Sequence, residues 1–292
     1  MPTVLVPLNE TGFAESILPD AQQLAGPSGR LLLVYVVARR GRGRNQSSAT
    51  DDAERYLSNE AQLLQAHGSQ VVTKVLVGGD IPRAIDEGVT ELGAEMVAVA
   101  THGTDRGGRL ARSSIAWKTL AHSPVPILLR HVPPGQVRDL GQSGPGPVTI
   151  MVPLDGSPRA ERALPVAATL AAQWQGSLVL VQVASDATGG QAYLDGIAGG
   201  LKVPVQTALG HGRIGETLAQ LAGERAITHV VMTSHGRTGL SRVIAGDVAA
   251  DLIERLSQPI VVIPSLVEPA QQPEERPSDE TAAAPPDSPT SK

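Results

Sequence analysis

The chain has no cysteine among its 292 residues. Disulfides, thiolate metal sites and thiol catalysis are therefore excluded. Aromatic residues make up only 2%, so stacking platforms for single-stranded nucleic acid are scarce. An excess of positive charge is also missing. The formal net charge is −5, and from Glu268 onward there are six acidic and two basic residues, so most of the excess sits in that tail. A basic nucleic-acid footprint is absent. No apolar run reaches transmembrane length, and the first residues lack the basic segment and apolar stretch of a signal peptide. These absences predict a soluble, cytoplasmic protein without membrane or nucleic-acid partners. There is no GxxxxGK[ST] phosphate loop, no GxSxG nucleophile elbow, and no histidine or carboxylate cluster at metal-ligand spacing. No catalytic and no metal-binding residue is assigned.

What is present is a duplication. Residues 3–25 and 149–171 share 11 of 23 positions at a constant offset. A second matched pair starts at Val97 and Val230. Each copy must be one folding unit. Both open with a short apolar run, Val4–Leu8 and Ile150–Leu154, followed by a polar turn and helical spacing. One apolar stripe runs Ala14, Ile17, Leu18, Ala21, Leu24, and its counterpart runs Ala160, Ala163, Leu164, Ala167, Leu170. Pro19 and Pro165 lie inside these stripes, which predicts a bend or a late helix start.

Strand, helix and strand with nearly continuous apolar strands, such as Leu31–Val37 and Leu178–Val183, indicate an α/β fold with a parallel sheet covered on both faces. The offset is 146 to 147 early in the repeat and 133 from Ile81 and Ile214 onward, so about 14 residues are missing from the second copy. There the first copy has a good helix, Asp51–Ala66, where the second has a Gly-rich stretch that predicts a short helix or a loop. The last strands are placed at Val125–Leu129 and Ile260–Ile263. The expected division is a domain over 1–132, a Pro/Gly-rich linker over 133–147, a domain over 148–266 and a disordered tail over 267–292.

In a parallel α/β sheet, ligands bind beyond the carboxyl ends of the strands, near a switch in strand order. The second copy ends its first strand with Pro153, Leu154, Asp155, Gly156 and Ser157. A carboxylate there can accept hydrogen bonds from ribose hydroxyls or a base amino group; equally, Asp155 can make a turn and Ser157 can cap the next helix. The fourth strand ends at Met232, Thr233, Ser234, His235 and Gly236, and a loop then leads to Gly246 and Asp247 before a helix over Val248–Leu256. Such a loop can offer backbone N–H groups to phosphate. His102 and His235 hold matching turns, with either a phosphate contact or a ring-to-backbone hydrogen bond open to them.

Together these features resemble the universal stress protein family, over nearly the whole chain except linker and tail. The resemblance implies two tandem Rossmann-like domains, each a five-stranded parallel sheet flanked by helices. It also implies that the domains pair through their last strands with approximate two-fold symmetry. We expect two sheets rather than one continuous sheet. In nucleotide-binding members an Asp after strand one contacts adenosine, and a GxxGx9G[ST] pattern after strand four holds ribose and phosphates. In the second copy, Asp155, Gly236 and Gly246 match, Thr233 replaces the first glycine, and Asp247 replaces the final hydroxyl residue. In the first copy Asn9 stands for the Asp, Ala100 for the first glycine, Gly103 matches, and Ser113 and Ser114 replace the final pair. That loop also carries Arg106, Arg109 and Arg112.

The departures have physical weight. A carboxylate at Asp247 about 4 Å from phosphate costs roughly 4 kcal/mol at an effective dielectric near 20, unless it turns away to cap the helix. The resemblance thus implies a degenerate site for ATP or AMP in one or both copies, with Mg²⁺ only where a polyphosphate is bound. In the second copy it assigns Pro153, Asp155, Val183, Met232 and Thr233 to base and ribose, and Gly236, Gly246, Asp247 and Val248 to the phosphate end. In the first it assigns Asn9 and Val36 to the base, and Gly103, Ser113 and Ser114 to phosphate. A homodimer is expected as well, because each copy ends in an apolar strand that would otherwise be an exposed edge. The alternatives are a nucleotide-independent interaction protein acting through dimerisation and, in third place, a nucleotide hydrolase or adenylyl transferase.

Overall fold

The computed structural model describes residues 2–39, 46–102, 115–132, 147–184, 187–234 and 247–264. Residues 133–146 of the expected linker and all of the expected tail lie outside the described residues. The first half runs β1 (Thr3–Leu8), α1 (Gly12–Glu15), α2 (Leu18–Ala25), β2 (Arg30–Ala38) and α3 (Gln46–Ala66). It continues with β3 (Gln70–Gly78), α4 (Ile81–Leu92), β4 (Met96–His102), α5 (Ile115–His122) and β5 (Ile127–Val132). The second half repeats the order as β6 (Thr149–Pro153), α6 (Pro158–Glu161), α7 (Ala163–Gln173), β7 (Ser177–Val183) and α8 (Ala187–Gly199). Then come β8 (Val205–Gly210), α9 (Ile214–Glu224), β9 (His229–Thr233), α10 (Asp247–Arg255) and β10 (Ile260–Ile263).

Local sequence explains the breaks. Thr11 and Ser157 cap α1 and α6 by accepting from Ala14 N and Ala160 N. Both helices stop just before the prolines; Pro19 then lies in the first turn of α2 and Pro165 in that of α7, where a missing N–H costs nothing. The Gly-rich stretch of the second half is a full helix of 13 residues, α8. Burial overrides its weak propensity: Leu194 is fully buried and Tyr193 packs on the same core. Gly190 lets α8 lie close, since a Cβ there would come within 2.9 Å of Leu209 Cδ2.

Within each half all five strands are parallel, in the order β3-β2-β1-β4-β5 and β8-β7-β6-β9-β10. The expectation of two separate sheets is corrected here. The halves join edge to edge through an antiparallel β5–β10 pair, Leu128 opposite Val261, to give one ten-stranded sheet. The last strands do pair, but as sheet neighbours with Ile127 and Val261 fully buried. They are therefore not exposed edges, and the edge argument for a further dimer at these strands fails. The outer edges are β3 and β8.

Alternation along the strands feeds two cores, one on each face, and both run across the halves. Val4, Val6 and Ile150 belong to one, Leu5, Ile85 and Met151 to the other. Further links fix the halves together. Arg130 on β5 donates to Asp20 of α2 through Nε and, at 2.6 Å, through Nη2, and reaches the Ser257 carbonyl of the second half at 2.8 Å. Trp174 Nε1 and Gln173 Nε2 donate to the carbonyls of Gln23 and Leu24 at 2.8 and 3.1 Å. Gly26, at φ +67°, ends α2 where a side chain would meet Gln173.

Candidate functional site

In each half β1 or β6 has neighbours reached in opposite directions, β2 and β4 or β7 and β9, which is a switch in strand order. A cavity opens at the carboxyl ends of those strands in both halves. The second-half cavity gathers Pro153, Asp155, Val183, Met232, Thr233 and Val248. The first-half cavity gathers Asn9 and Val36 with Thr11, Phe13, Ile81 and Ile85, among others. Gly103, Ser113, Ser114, Gly236, Gly246, His235 and the three loop arginines lie outside the described residues, as do the side chains of Asp247 and His102.

The cavities differ in size. The first measures 510 Å³ and the second 130 Å³, and a neighbouring opening of 370 Å³, lined by Arg213, Glu216, Asp251 and Arg255, shares Ile214 and Val248 with the second. Matched lining positions point the same way: Val99 and Ala100 on β4 face the first cavity, whereas the bulkier Met232 and Thr233 on β9 face the second. Apolar side chains dominate both walls. Ile81, Ile115 and Ile214 are large hydrophobics left partly exposed because they border these openings. Ile81 and Ile85 reach the first cavity from one face of α4, four residues apart. Helical spacing could have flagged them; the polar turn hid Thr11 and Phe13.

Hydrogen bonds shape the polar end. Asp155 Oδ1 accepts from Ser157 N at 2.9 Å, so the turn-making role is real. Asn9 Oδ1 instead accepts from the Thr11 hydroxyl at 2.6 Å. A pair not seen in the sequence braces each capped helix. Tyr56 on α3 donates to Glu15 at 2.8 Å, and Tyr193 on α8 donates to Glu161 at 3.0 Å. Desolvation first, and the accepting glutamate second, push both phenol pKa values well above the ordinary range. Tyr35 packs edge-on against Tyr56 with ring centroids 6.0 Å apart.

Asp86 on α4 is half-buried. Burial, then the charges of Asp80 and Glu87, push its pKa up to about 6. Among the described residues no group of three or more His, Asp or Glu side chains could hold a metal ion, and no helix is long and apolar enough to cross a membrane.

The model of the family described as the universal stress protein family matches residues 1–131, 148–199 and 197–264. Among solved structures, a universal stress protein from Archaeoglobus fulgidus DSM 4304 is 19% identical, covering 90% of this chain and 96% of its own, with a TM-score of 0.69. A functionally unknown protein from Pseudomonas aeruginosa PAO1 is also 19% identical, covering 90% and 92%, with a TM-score of 0.61. The cytoplasmic domain of a prokaryotic cation chloride cotransporter is 14% identical, covering 92% and 98%, with a TM-score of 0.56. At these identities the likenesses show the fold alone. No curated protein matches the chain.

Proposed function

The chain belongs to the universal stress protein family, and from that premise we propose that it is a cytoplasmic stress-response module holding one nucleotide-type ligand per chain, in the first-half cavity. The observation that carries this reading is the single continuous apolar cavity of the first half. A single space of 510 Å³ falls within the range of small-molecule pockets, about 300–1,000 Å³, whereas the second-half opening is divided between a 130 Å³ apolar pocket and a charged 370 Å³ neighbour that shares Ile214 and Val248. Apolar walls with a few polar groups at one end suit a flat heterocycle carrying a sugar. The sequence weighted the second half, because Asp155 is there; the undivided apolar cavity supports the first.

ATP and AMP are the ligands the resemblance implies, with Mg²⁺ accompanying only a polyphosphate. Residues assigned to the phosphate end of the first half, Gly103, Ser113 and Ser114, lie outside the described residues, so the reading stands on the base and sugar end. A homodimer would have to form away from β5 and β10, since these are already paired.

The test is the protein as purified. It is denatured, and any released nucleotide is identified by chromatography; apo protein is then titrated with AMP, IMP and ATP–Mg²⁺ in a calorimeter. A bound or binding nucleotide is expected. If none is released and none binds, the nucleotide-independent interaction protein is the better account. Phosphate release over time would move the protein to the hydrolase class.

A further inference from the structure

The sheet has two open edges, β3 and β8, and they are finished differently. The β8 edge is short and starts directly after Pro204. Its polar side chains are already bonded: Arg225 donates to Gln206 at 3.3 Å, and Thr207 is held between Gln191 and Asp195. Among the described residues no large hydrophobic side chain is left exposed on it. The β3 edge is open by comparison. Gln70–Gly78 pair with β2 in one unbroken register, with no proline and no bulge. Val72 and Val77 are each 45% exposed, although strand edges are commonly protected by charge. Lys74 is the only charged residue of the strand.

The backbone fixes which residues of β3 face outward. Gly78 O accepts from Arg39 N, so Gly78 turns its peptide groups toward β2. Alternation then turns those of Val71, Thr73, Val75 and Val77 away from the sheet. The Val71 carbonyl agrees with this, because it is reached by the Gln65 side chain of α3, at a long 3.4 Å.

We propose that β3 is the dimerisation edge of this protein, pairing antiparallel with β3 of a second copy about a two-fold axis at Thr73. This does not depend on which cavity holds a ligand. The two halves of the chain already join edge to edge and antiparallel through β5 and β10, so the same sheet continues across the new contact. A two-fold pair also demands that the strand complement its own reverse. About Thr73 it does. Thr73 exchanges backbone hydrogen bonds with the partner's Thr73, and Val71 with the partner's Val75. On the other face Val72 lies opposite the partner's Lys74, whose methylene stem covers the exposed valine while its ammonium stays in water. An axis one residue further on would set Lys74 against the partner's Lys74, and like charges directly opposite are destabilising.

The mass of the full chain is measured by light scattering over a dilution series. Wild type is expected to reach twice the chain mass as concentration rises. Thr73→Pro removes an outward N–H and spares the bonds between β2 and β3, the setting in which edge strands accept proline; it should stay monomeric. Val72→Lys and Val72→Glu leave the backbone free to pair and read the register. The lysine meets the partner's Lys74 twice per dimer and should weaken dimerisation roughly tenfold, and the glutamate should tighten it. Thermal melts check that each variant folds. A wild type that stays monomeric at every concentration overturns the proposal. So does a dimer that a folded Thr73→Pro leaves intact, or one on which Val72→Lys and Val72→Glu act alike. If Thr73→Pro does not fold, opposite effects of the two Val72 variants support the proposal and equal effects overturn it.

Discussion

The phenol of Tyr193 donates to the Glu161 carboxylate at 3.0 Å, and the same bond recurs in the first half between Tyr56 and Glu15 at 2.8 Å. Each pair ties the short helix after the first strand to the helix that crosses to the sheet edge. That short helix begins at the capping residue beside the cavity, so the pair holds the polar end of the site in place. Removing the hydroxyl leaves the ring and takes a partner from a carboxylate. Tyr56→Phe and Tyr193→Phe should each lower unfolding free energy by about 1–2 kcal/mol, since hydrogen bonds to charged groups contribute ~1.5–3 kcal/mol and these are only partly buried. Chemical denaturation of each variant checks this. Because both pKa values are raised, the folded protein holds these protons above pH 10.0, the ordinary phenol value. Phenolate absorbance from Tyr56 and Tyr193 should appear only together with alkaline unfolding.

Asp86 gives the acid side of the profile. Its folded pKa of about 6 lies above the ordinary 3.8, so the folded state holds the proton more tightly than the unfolded state does. Stability from this group is greatest below the unfolded value and falls as pH rises through the folded one. Oδ1 of Asp86 is buried without a hydrogen-bond partner, which fits a penalised charge. Asp86→Asn should therefore raise the melting temperature above pH 6 and leave it unchanged below pH 4. The expected gain is about 1 kcal/mol, discounted from the full shift because the group is partly solvated. Equal effects at both pH values would contradict the assignment.

Arg130 joins a buried carboxylate of the first half to the second half. It pairs with the buried carboxylate of Asp20 and also reaches the Ser257 carbonyl. Arg130→Met strands that carboxylate, and a loss of ~3–5 kcal/mol is expected by denaturant melting. Asp20→Leu combined with Arg130→Met should recover most of it, because no uncompensated charge is then left. Failure of the double variant to recover would place the weight on Ser257 instead.

Much of the fold was legible because the repeat supplied an internal control. Apolar strand runs, the helical stripe from Ala14 to Ala25 and the breaks near Pro19 and Pro165 all follow from local periodicity. The strand-end rule also brought Pro153, Asp155, Val183, Met232, Thr233 and Val248 to one cavity. What escaped depends on long-range geometry. Alternation says that β5 and β10 are apolar, but not that they become neighbours in one sheet. Helix α8 escaped because its glycines argue against it until Leu194 is buried. Tyr56 and Tyr193 lie where the two copies no longer align. Met232 opposite Val99 reads as a conservative change until both side chains face a cavity.

The stoichiometry of binding, measured by calorimetry on wild type and on two exchange variants, tests the central claim most directly. Val99→Met with Ala100→Thr carries the second half's bulk into the first cavity, and Met232→Val with Thr233→Ala does the reverse. The latter pair should cost about 1–2 kcal/mol in stability, as core truncations of this size do. Wild type should bind one nucleotide per chain, the first variant none, and the second should keep that site with at most a weak additional one. Two equal sites in wild type, or a site that survives Val99→Met with Ala100→Thr at full affinity, would contradict a ligand held in the first half.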